Sequence, residues 1–291
     1  MFAVIVNPVS GGGEAAKLAI RVSERITALG QESRLFETAG DGDAARQTRA
    51  ALEAGCENVV CIGGDGTICE ATGELCYKDA TFYVVPGGTG NDFARAFRLP
   101  KDPMAAFEAQ LTGEPVEIDC GRMNGKSFLN VSGSGFDVAV LQKTEELKAV
   151  YPGEKAYRKA VLSVLGRYKA FEAEVSIDGR AETHEACTIV EIANGQCIGG
   201  GMRVAPDAKL DDGYFDVVVV KQVPRMLIPL LLPMFMLGWH TKIGLARVVR
   251  AKAVTMRAKG MIVNLDGKLL RMDEAKYEIL PGAIRMKKPK S

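Results

Sequence analysis

The sequence predicts an α/β + β chain: a doubly wound N-terminal α/β domain over residues 1–118, then a C-terminal antiparallel β-sandwich-like domain over 119–281. The tail, 282–291, is expected to pack back on the first domain. Three observations lead there. Short apolar runs alternate with amphipathic helical stretches up to about residue 116, as in βαβ units. Beyond it, runs of period two are separated by Asp-Gly, Asn-Gly and Pro-Gly turns. Three glycine-rich segments each follow an apolar run in the first part, where parallel sheets place their ligand loops.

The elements follow in order. Residues 2–6 read as a buried strand, 15–29 as an amphipathic helix, 33–36 as a strand and 43–54 as a helix. A strand at 59–62 leads through glycines into a helix at 68–76, and a fourth strand spans 82–85. Helices are expected at 92–97 and 103–111, then at 136–150 and 154–168. Strands are expected at 171–177, 188–192, 214–220, 254–258 and 277–280, with the basic tail solvated.

Composition narrows the classes. With 37 Lys+Arg against 36 Asp+Glu, the chain lacks the basic field on which nucleic-acid affinity rests, so no nucleic-acid partner is expected. The seven cysteines include no C-x-x-C pair, and most read as small core residues of a reducing, cytoplasmic protein. No signal peptide is evident. The apolar stretch 226–237 is too short to span a bilayer and is broken by Pro229 and Pro233, so no transmembrane span is expected. Core packing is the favoured reading of this stretch. Contact with a bilayer, helped by flanking Arg225 and Lys242, is the alternative.

The chemistry concentrates in the glycine loops. Gly63-Gly64-Asp65-Gly66-Thr67 ends an apolar run in three glycines around one carboxylate. Glycines after a strand let backbone N–H groups approach an anion. A carboxylate in that cradle repels phosphate unless a hard divalent cation lies between them, which points to a nucleotide with magnesium. Taken alone, the segment serves equally as a tight turn. Asn7-Pro8-Val9-Ser10-Gly11-Gly12-Gly13 and Pro86-Gly87-Gly88-Thr89-Gly90-Asn91-Asp92-Phe93-Ala94-Arg95 follow the first and fourth strands, so all three can face one nucleotide.

The order of these motifs resembles the diacylglycerol-kinase-like lipid kinases, soluble bacterial branch, which carry N-P-x-S-G, G-G-D-G-T-x-N-E and G-T-x-N-D-F-A-R. Ile118-Asp119, Gly133-Ser134-Gly135-Phe136-Asp137 and the segment 205–213 extend the resemblance over nearly the whole chain. It implies an ATP- and Mg²⁺-dependent kinase that phosphorylates a lipid hydroxyl at the membrane surface. A diacylglycerol-like acceptor is the first expectation, and a glycolipid or sphingoid base the alternative. A nucleotide-binding regulatory protein without transferase activity is the rival from another class. A homodimer and a peripheral position at the inner membrane face are further expectations.

By the same resemblance, Asn7, Pro8, Ser10, Gly11, Thr38, Gly64, Asp65, Gly66, Thr67, Glu70, Thr89 and Asn91 hold the nucleotide. Asp65, Asp92 and Asp119 form a water-mediated network around magnesium and phosphates. The resemblance also implies a second, structural magnesium at Asp212 with the carbonyls of Lys209 and Tyr214, and a general base at Asp266, the position of the family's D-G-E aspartate. From the residues alone Asp212-Gly213 reads as a hairpin turn, and Asp178-Gly179 looks no different from Asp266-Gly267. Two departures stand out: Lys268 replaces the family glutamate of D-G-E, and Cys69 replaces the asparagine of G-G-D-G-T-x-N-E. Asp273 or Glu274 could replace that glutamate in space. Residues 121–127 approximate a Walker A motif but read better as a hairpin turning at Asn124-Gly125. His184 and His240 lack metal-ligand spacing.

Overall fold

The computed structural model describes residues 1–151, 154–183 and 186–290. The chain forms two compact units. The first comprises Met1–Leu129, Leu210–Gly213 and the stretch from Leu280 onward; the second comprises Asn130–Lys209 and Tyr214–Ile279.

In the first unit β1 (Phe2–Val6), α1 (Glu14–Ala28), β2 (Ser33–Glu37), α2 (Asp43–Glu53), β3 (Asn58–Gly63), α3 (Asp65–Leu75) and β4 (Thr81–Pro86) alternate as expected. The strands are parallel in the order β2-β1-β3-β4. Alternate residues of β1 and β3 face opposite sides. Val4, Val6, Val60 and Ile62 pack against Leu18, Val22 and Ile26 of α1, while Ala3, Ile5, Val59 and Cys61 pack against Ile68, Ala71 and Leu75 of α3. Strands covered on both faces need unbroken apolar runs, which is why Val59 to Ile62 lacks period-two alternation. Because β1 lies between β2 and β3, the order in which strands are added reverses there, and the loops after β1 and β3 meet at one edge.

The short α4 (Asp92–Ala96) and α5 (Pro103–Leu111) follow, the latter started by Asp102, whose carboxylate accepts the Ala105 N–H at 2.8 Å. β5 (Glu114–Met123) and β6 (Lys126–Phe128) form a hairpin in which Met123 faces Lys126. Asn124 and Gly125 both have positive φ (46° and 82°), so the Walker-like segment is a type I′ turn.

The second unit contains β7 (Val131–Gly135), α6 (Phe136–Lys148), α7 (Glu154–Leu165), β8 (Phe171–Glu172), β9 (Glu174–Ile177), β10 (Arg180–Thr183), β11 (Ala186–Ala193), β12 (Phe215–Lys221), α8 (Ile228–Met236), β13 (Arg247–Ala251), β14 (Ala253–Leu265) and the part of β15 (Lys268–Lys288) before Leu280. Its pairings are antiparallel, in the order β13-β12-β11-β7-β14-β15. β15 is far longer than the expected 277–280, because its exposed, charge-alternating stretches carry little apolar signal. The tail is also more than a solvated terminus. Arg285 and Met286 pair with Thr81 and Phe82 of β4, and Ala283, Ile284 and Met286 are buried.

The 226–237 segment differs from the favoured expectation. Only Ile228 and Phe235, two turns apart on α8, are buried, whereas Met226 is 86% and Leu230 68% exposed. Pro229 begins the helix and Pro233 sits within it, so the apolar run winds all round while one narrow stripe meets the core. Among the described residues no helix is long and apolar enough to cross a membrane.

Candidate active site

Three loops meet at the end of the parallel sheet. After β1, Ser10 N–H donates to the Asn7 carbonyl at 3.0 Å and the chain passes through Gly11–Gly13, all at positive φ, into α1. After β4, Gly87 N–H donates to the Gly63 carbonyl at 2.9 Å. Asn91, itself at φ 52°, accepts the Gly88 N–H (3.1 Å) and donates to the Gly88 carbonyl (2.8 Å). The approach of these loops admits no side chain. A β-carbon at Gly88 would lie 2.5 Å from Gly64 Cα, and one at Gly11 would lie 2.8 Å from the Gly87 carbonyl.

Asp65 opens α3, and Gly64 before it offers no side-chain cap, leaving the first N–H groups of the helix open to an anion. Asp65 Oδ1 accepts the Phe93 N–H at 3.1 Å. A β-carbon at Gly90 would sit 2.7 Å from Asp65 Oδ2 and 3.7 Å from Asp92 Oδ2, so both oxygens border one glycine-floored cradle. Asp92 Oδ1 is paired with Arg95 at 3.0 Å. Hard carboxylate oxygens beside helix N–H donors suit a divalent cation carrying phosphates. Among the described residues no three His, Cys, Asp or Glu side chains converge as a metal site, so such a cation would keep several waters.

The remaining sequence-derived residues divide between this edge and other duties. Asn7, Pro8, Ser10, Gly11, Gly64, Thr89 and Asn91 lie in the three loops, and Gly66 and Thr67 in the first turn of α3. Thr38 follows β2 and is buried, its N–H donating to the Val6 carbonyl at 2.9 Å. Glu70 accepts the Gly42 (2.7 Å) and Ala44 (3.3 Å) N–H groups and so caps α2; burial, opposed by these bonds, pushes its carboxyl up. Asp119, on β5, accepts the N–H groups of Gly213 (2.6 Å) and Gly282 (2.8 Å). Burial foremost, with the charges of Asp212 and Asp211, raises the Asp119 carboxyl. Lys209 is exposed, and Tyr214 stacks under Arg250 and Lys252.

Asp266 begins the β14–β15 turn at φ 44° and is only 9% exposed. Its Oδ1 accepts the Val131 N–H at 2.9 Å, and Asn130 N–H reaches both oxygens at 3.2 Å. Asp178 makes a similar turn and accepts the N–H groups of Lys252 and Ala253, but it is exposed. Burial separates the two Asp-Gly turns. Asp273 and Glu274 do not stand in for the missing glutamate. Asp273 accepts the Gly260 N–H at 2.6 Å, Glu274 pairs with Arg257 and Lys276, and both lie about 20 Å or more along the strand from Asp266. His240 is a core residue stacked on Phe235 with Nε2 2.8 Å from the Val204 carbonyl, and His184 lies outside the described residues.

Sequence reasoning missed a buried carboxyl pair, Asp137 of α6 and Glu191 of β11. A β-carbon at Gly133 would fall 2.2 Å from Glu191 Oε2, so the Gly-Ser-Gly segment makes room for this side chain. Neither Glu191 oxygen is in hydrogen-bond geometry with another group. Burial, then the charge of Asp137, holds the Glu191 carboxyl well above its usual range, and burial likewise raises Asp137. Above about pH 4.5 the unfolded chain releases a proton that the folded chain keeps, so stability falls as pH rises toward the folded pKa. The loss is about 1.4 kcal/mol per pH unit of that window. Urea denaturation should therefore show wild type losing more stability than Glu191→Gln between pH 5 and pH 8; equal losses would refute the neutral carboxyl.

Residues 1–123 match the diacylglycerol kinase catalytic domain, and residues 130–288 match the YegS C-terminal NAD kinase beta sandwich-like domain. A diacylglycerol kinase of Mycobacterium tuberculosis is 31% identical over 98% of this chain and 94% of its own. The "Probable lipid kinase YegS-like" protein of Pseudomonas aeruginosa is 33% identical over 98% and 93%. A Bacillus anthracis diacylglycerol kinase crystal structure superposes with a TM-score of 0.74 at 22% identity, covering 99% of this chain and 96% of that one. An Archaeoglobus fulgidus NAD kinase solved with ATP shares the fold at a TM-score of 0.53 and 15% identity, covering 100% and 94%. Two domain matches that together cover nearly all of the chain, and relatives aligned end to end, place it in a single family. The chain belongs to the diacylglycerol-kinase-like family of lipid kinases.

Proposed function

We propose that this chain transfers the γ-phosphate of ATP to the hydroxyl of a diacylglycerol-like lipid. The observation that carries the reading is the convergence of three glycine loops on Asp65, with backbones too close for any side chain. Phosphoryl transfer needs mainly positioning and charge neutralisation. The N–H groups opening α3 and the loops of Asn7–Gly13 and 86–91 bind and orient the phosphates. Asp65 and Asp92 hold their oxygens toward that cradle. Magnesium, when bound there, neutralises charge developing on the phosphates. Asp266, oriented by the Asn130 and Val131 N–H groups, accepts the acceptor's hydroxyl proton.

The acceptor is met at a lipid surface. Met226, Leu230, Met236, Leu237, Trp239 and Ile243 are all more than half exposed, and Arg225 and Lys242 beside them suit anionic headgroups. Labelled-phosphate transfer from ATP across a panel of diacylglycerol, glycolipid and sphingoid base in mixed micelles should favour diacylglycerol. Leu230→Glu/Trp239→Glu should lose co-sedimentation with phosphatidylglycerol vesicles yet keep turnover on a short-chain acceptor. No transfer to any lipid would reject the kinase reading, and unchanged sedimentation would reject the surface.

The loop 210–213 supports a structural magnesium at Asp212. The charges of Asp212 and Asp211 add to burial in raising the Asp119 carboxyl, and a cation at Asp212 would relieve that added repulsion. Because a cation bound only by the folded state stabilises it, millimolar magnesium should raise the melting midpoint of wild type but not of Asp212→Ala. A wild-type midpoint unmoved by magnesium or by EDTA would exclude the site.

A further inference from the structure

The sequence assigns most of the cysteines to the core, and Cys56, Cys61, Cys120, Cys187 and Cys197 are buried there, while Cys69 and Cys76 are only partly so. Both lie on one side of α3, seven residues apart at its middle and its end, facing the β5–β6 hairpin. The Cys69 thiol donates to the Ser127 carbonyl at 3.1 Å. Cys76 Sγ lies 3.6 Å from Cys120 Sγ and 3.8 Å from Ser127 Oγ, with its own helix carbonyl, Thr72, at 3.5 Å. Two sulfurs at that separation are in van der Waals contact. A disulfide needs them at about 2.05 Å, a closure that small side-chain rotations can share.

The two thiols are not equivalent. Cys76 reaches solvent at the C-terminal end of α3, next to exposed Tyr77, whereas Cys120 is fully buried behind it on β5. The Arg122 guanidinium also faces Cys76. Hydrogen bonding from Cys120, helped by Ser127 and Arg122, brings the Cys76 thiol down to about 7 against the opposing effect of burial. A partly exposed cysteine backed by donors and a cation, with a second thiol in contact, is the arrangement of an attacking and a resolving cysteine. None of the roles assigned above to the glycine loops, Asp65 or Asp266 uses it.

We propose that Cys76 and Cys120 form a hydroperoxide-reactive dithiol, in which Cys76 is the site of attack and Cys120 resolves it into a disulfide joining α3 to β5. In the first step the Cys76 thiolate attacks one peroxide oxygen. The O–O bond breaks, Cys76 becomes a sulfenic acid, and the other oxygen leaves as water (or an alcohol) after taking up a proton. In the second, Cys120 sulfur attacks the sulfenic sulfur. The S–O bond breaks, the thiol proton leaves with the hydroxide as water, and the S–S bond forms. The peroxide is reduced by two electrons and the dithiol is oxidised by two. Dithiothreitol reverses the product by exchange.

The test uses the full-length chain and hydrogen peroxide. Wild type should lose two of its seven alkylatable thiols, become lighter by two hydrogens, and yield one cross-linked peptide pair containing residues 76 and 120. Cys120→Ser should stop at a Cys76 one oxygen heavier, captured by a sulfenic-acid reagent, and Cys76→Ser should react at least about tenfold more slowly. Cys69→Ser should behave as wild type. Cys120→Ala replaces Cys120→Ser if the buried hydroxyl prevents folding. Retention of all seven thiols, a cross-link to Cys69 instead, or an unchanged rate in Cys76→Ser would overturn the proposal.

Discussion

Asp65→Asn is expected to lower phosphoryl transfer by about three orders of magnitude while leaving the fold intact, in the range found when one preorganised electrostatic partner of a transition state is removed. Asparagine keeps an oxygen for the Phe93 N–H, which Asp65 Oδ1 accepts at 3.1 Å, so the start of α4 keeps its anchor. The other position changes from a carboxylate oxygen to an N–H donor where the cradle meets Gly90. That removes the negative charge a divalent cation requires and adds a donor aimed at the place of the cation. The measurement is turnover with saturating ATP and magnesium beside a melting curve. Near wild-type turnover in a variant with the wild-type midpoint would remove Asp65 from the mechanism.

Asp266→Asn should reduce kcat by two or more orders of magnitude, given the ~10²–10⁴ typical of a general base. The substitution is close to isosteric, and asparagine oxygen can still accept the Val131 N–H made at 2.9 Å, so a large loss would report basicity more than misfolding. Lys268 refines the test. It pairs in register with Leu265 directly across the Asp266-Gly267 turn, and a cation there favours the ionised, less basic carboxylate. Lys268→Glu should therefore raise activity on diacylglycerol. Lower activity in Lys268→Glu would mean that the lysine contributes to binding an anionic group. An unaffected Asp266→Asn would place the base elsewhere, with Asp65 next in line.

Much of this molecule was legible before any coordinates. Unbroken apolar runs such as Val59 to Ile62 announce strands covered on both faces, and their alternation with helical stretches announces a parallel sheet. The glycines at 63–66 and 87–90 announce close backbone approach, and the order of the motifs announces the family. Turn chemistry was equally local: Asn124-Gly125 adopts positive φ because those residues tolerate it best.

What remained hidden depends on who lies opposite whom. β15 runs to Lys288 because its polar alternation is satisfied by main-chain pairing with β14 and β4, which no window of sequence displays. Asp266 and Asp178 share a dipeptide and a turn, and only burial distinguishes them. Glu70 and Asp119 carry the right charge for a nucleotide site, yet the fold directs hydrogen bonds from Gly42, Ala44, Gly213 and Gly282 onto their oxygens. Asp137 meets Glu191, and Cys76 meets Cys120, across more than forty residues of chain. The sequence by itself determined the backbone's periodicities, its turns and its family, since these are written in neighbouring residues. Tertiary structure alone decided which carboxylates and thiols face one another, since burial and pairing arise only when distant segments pack.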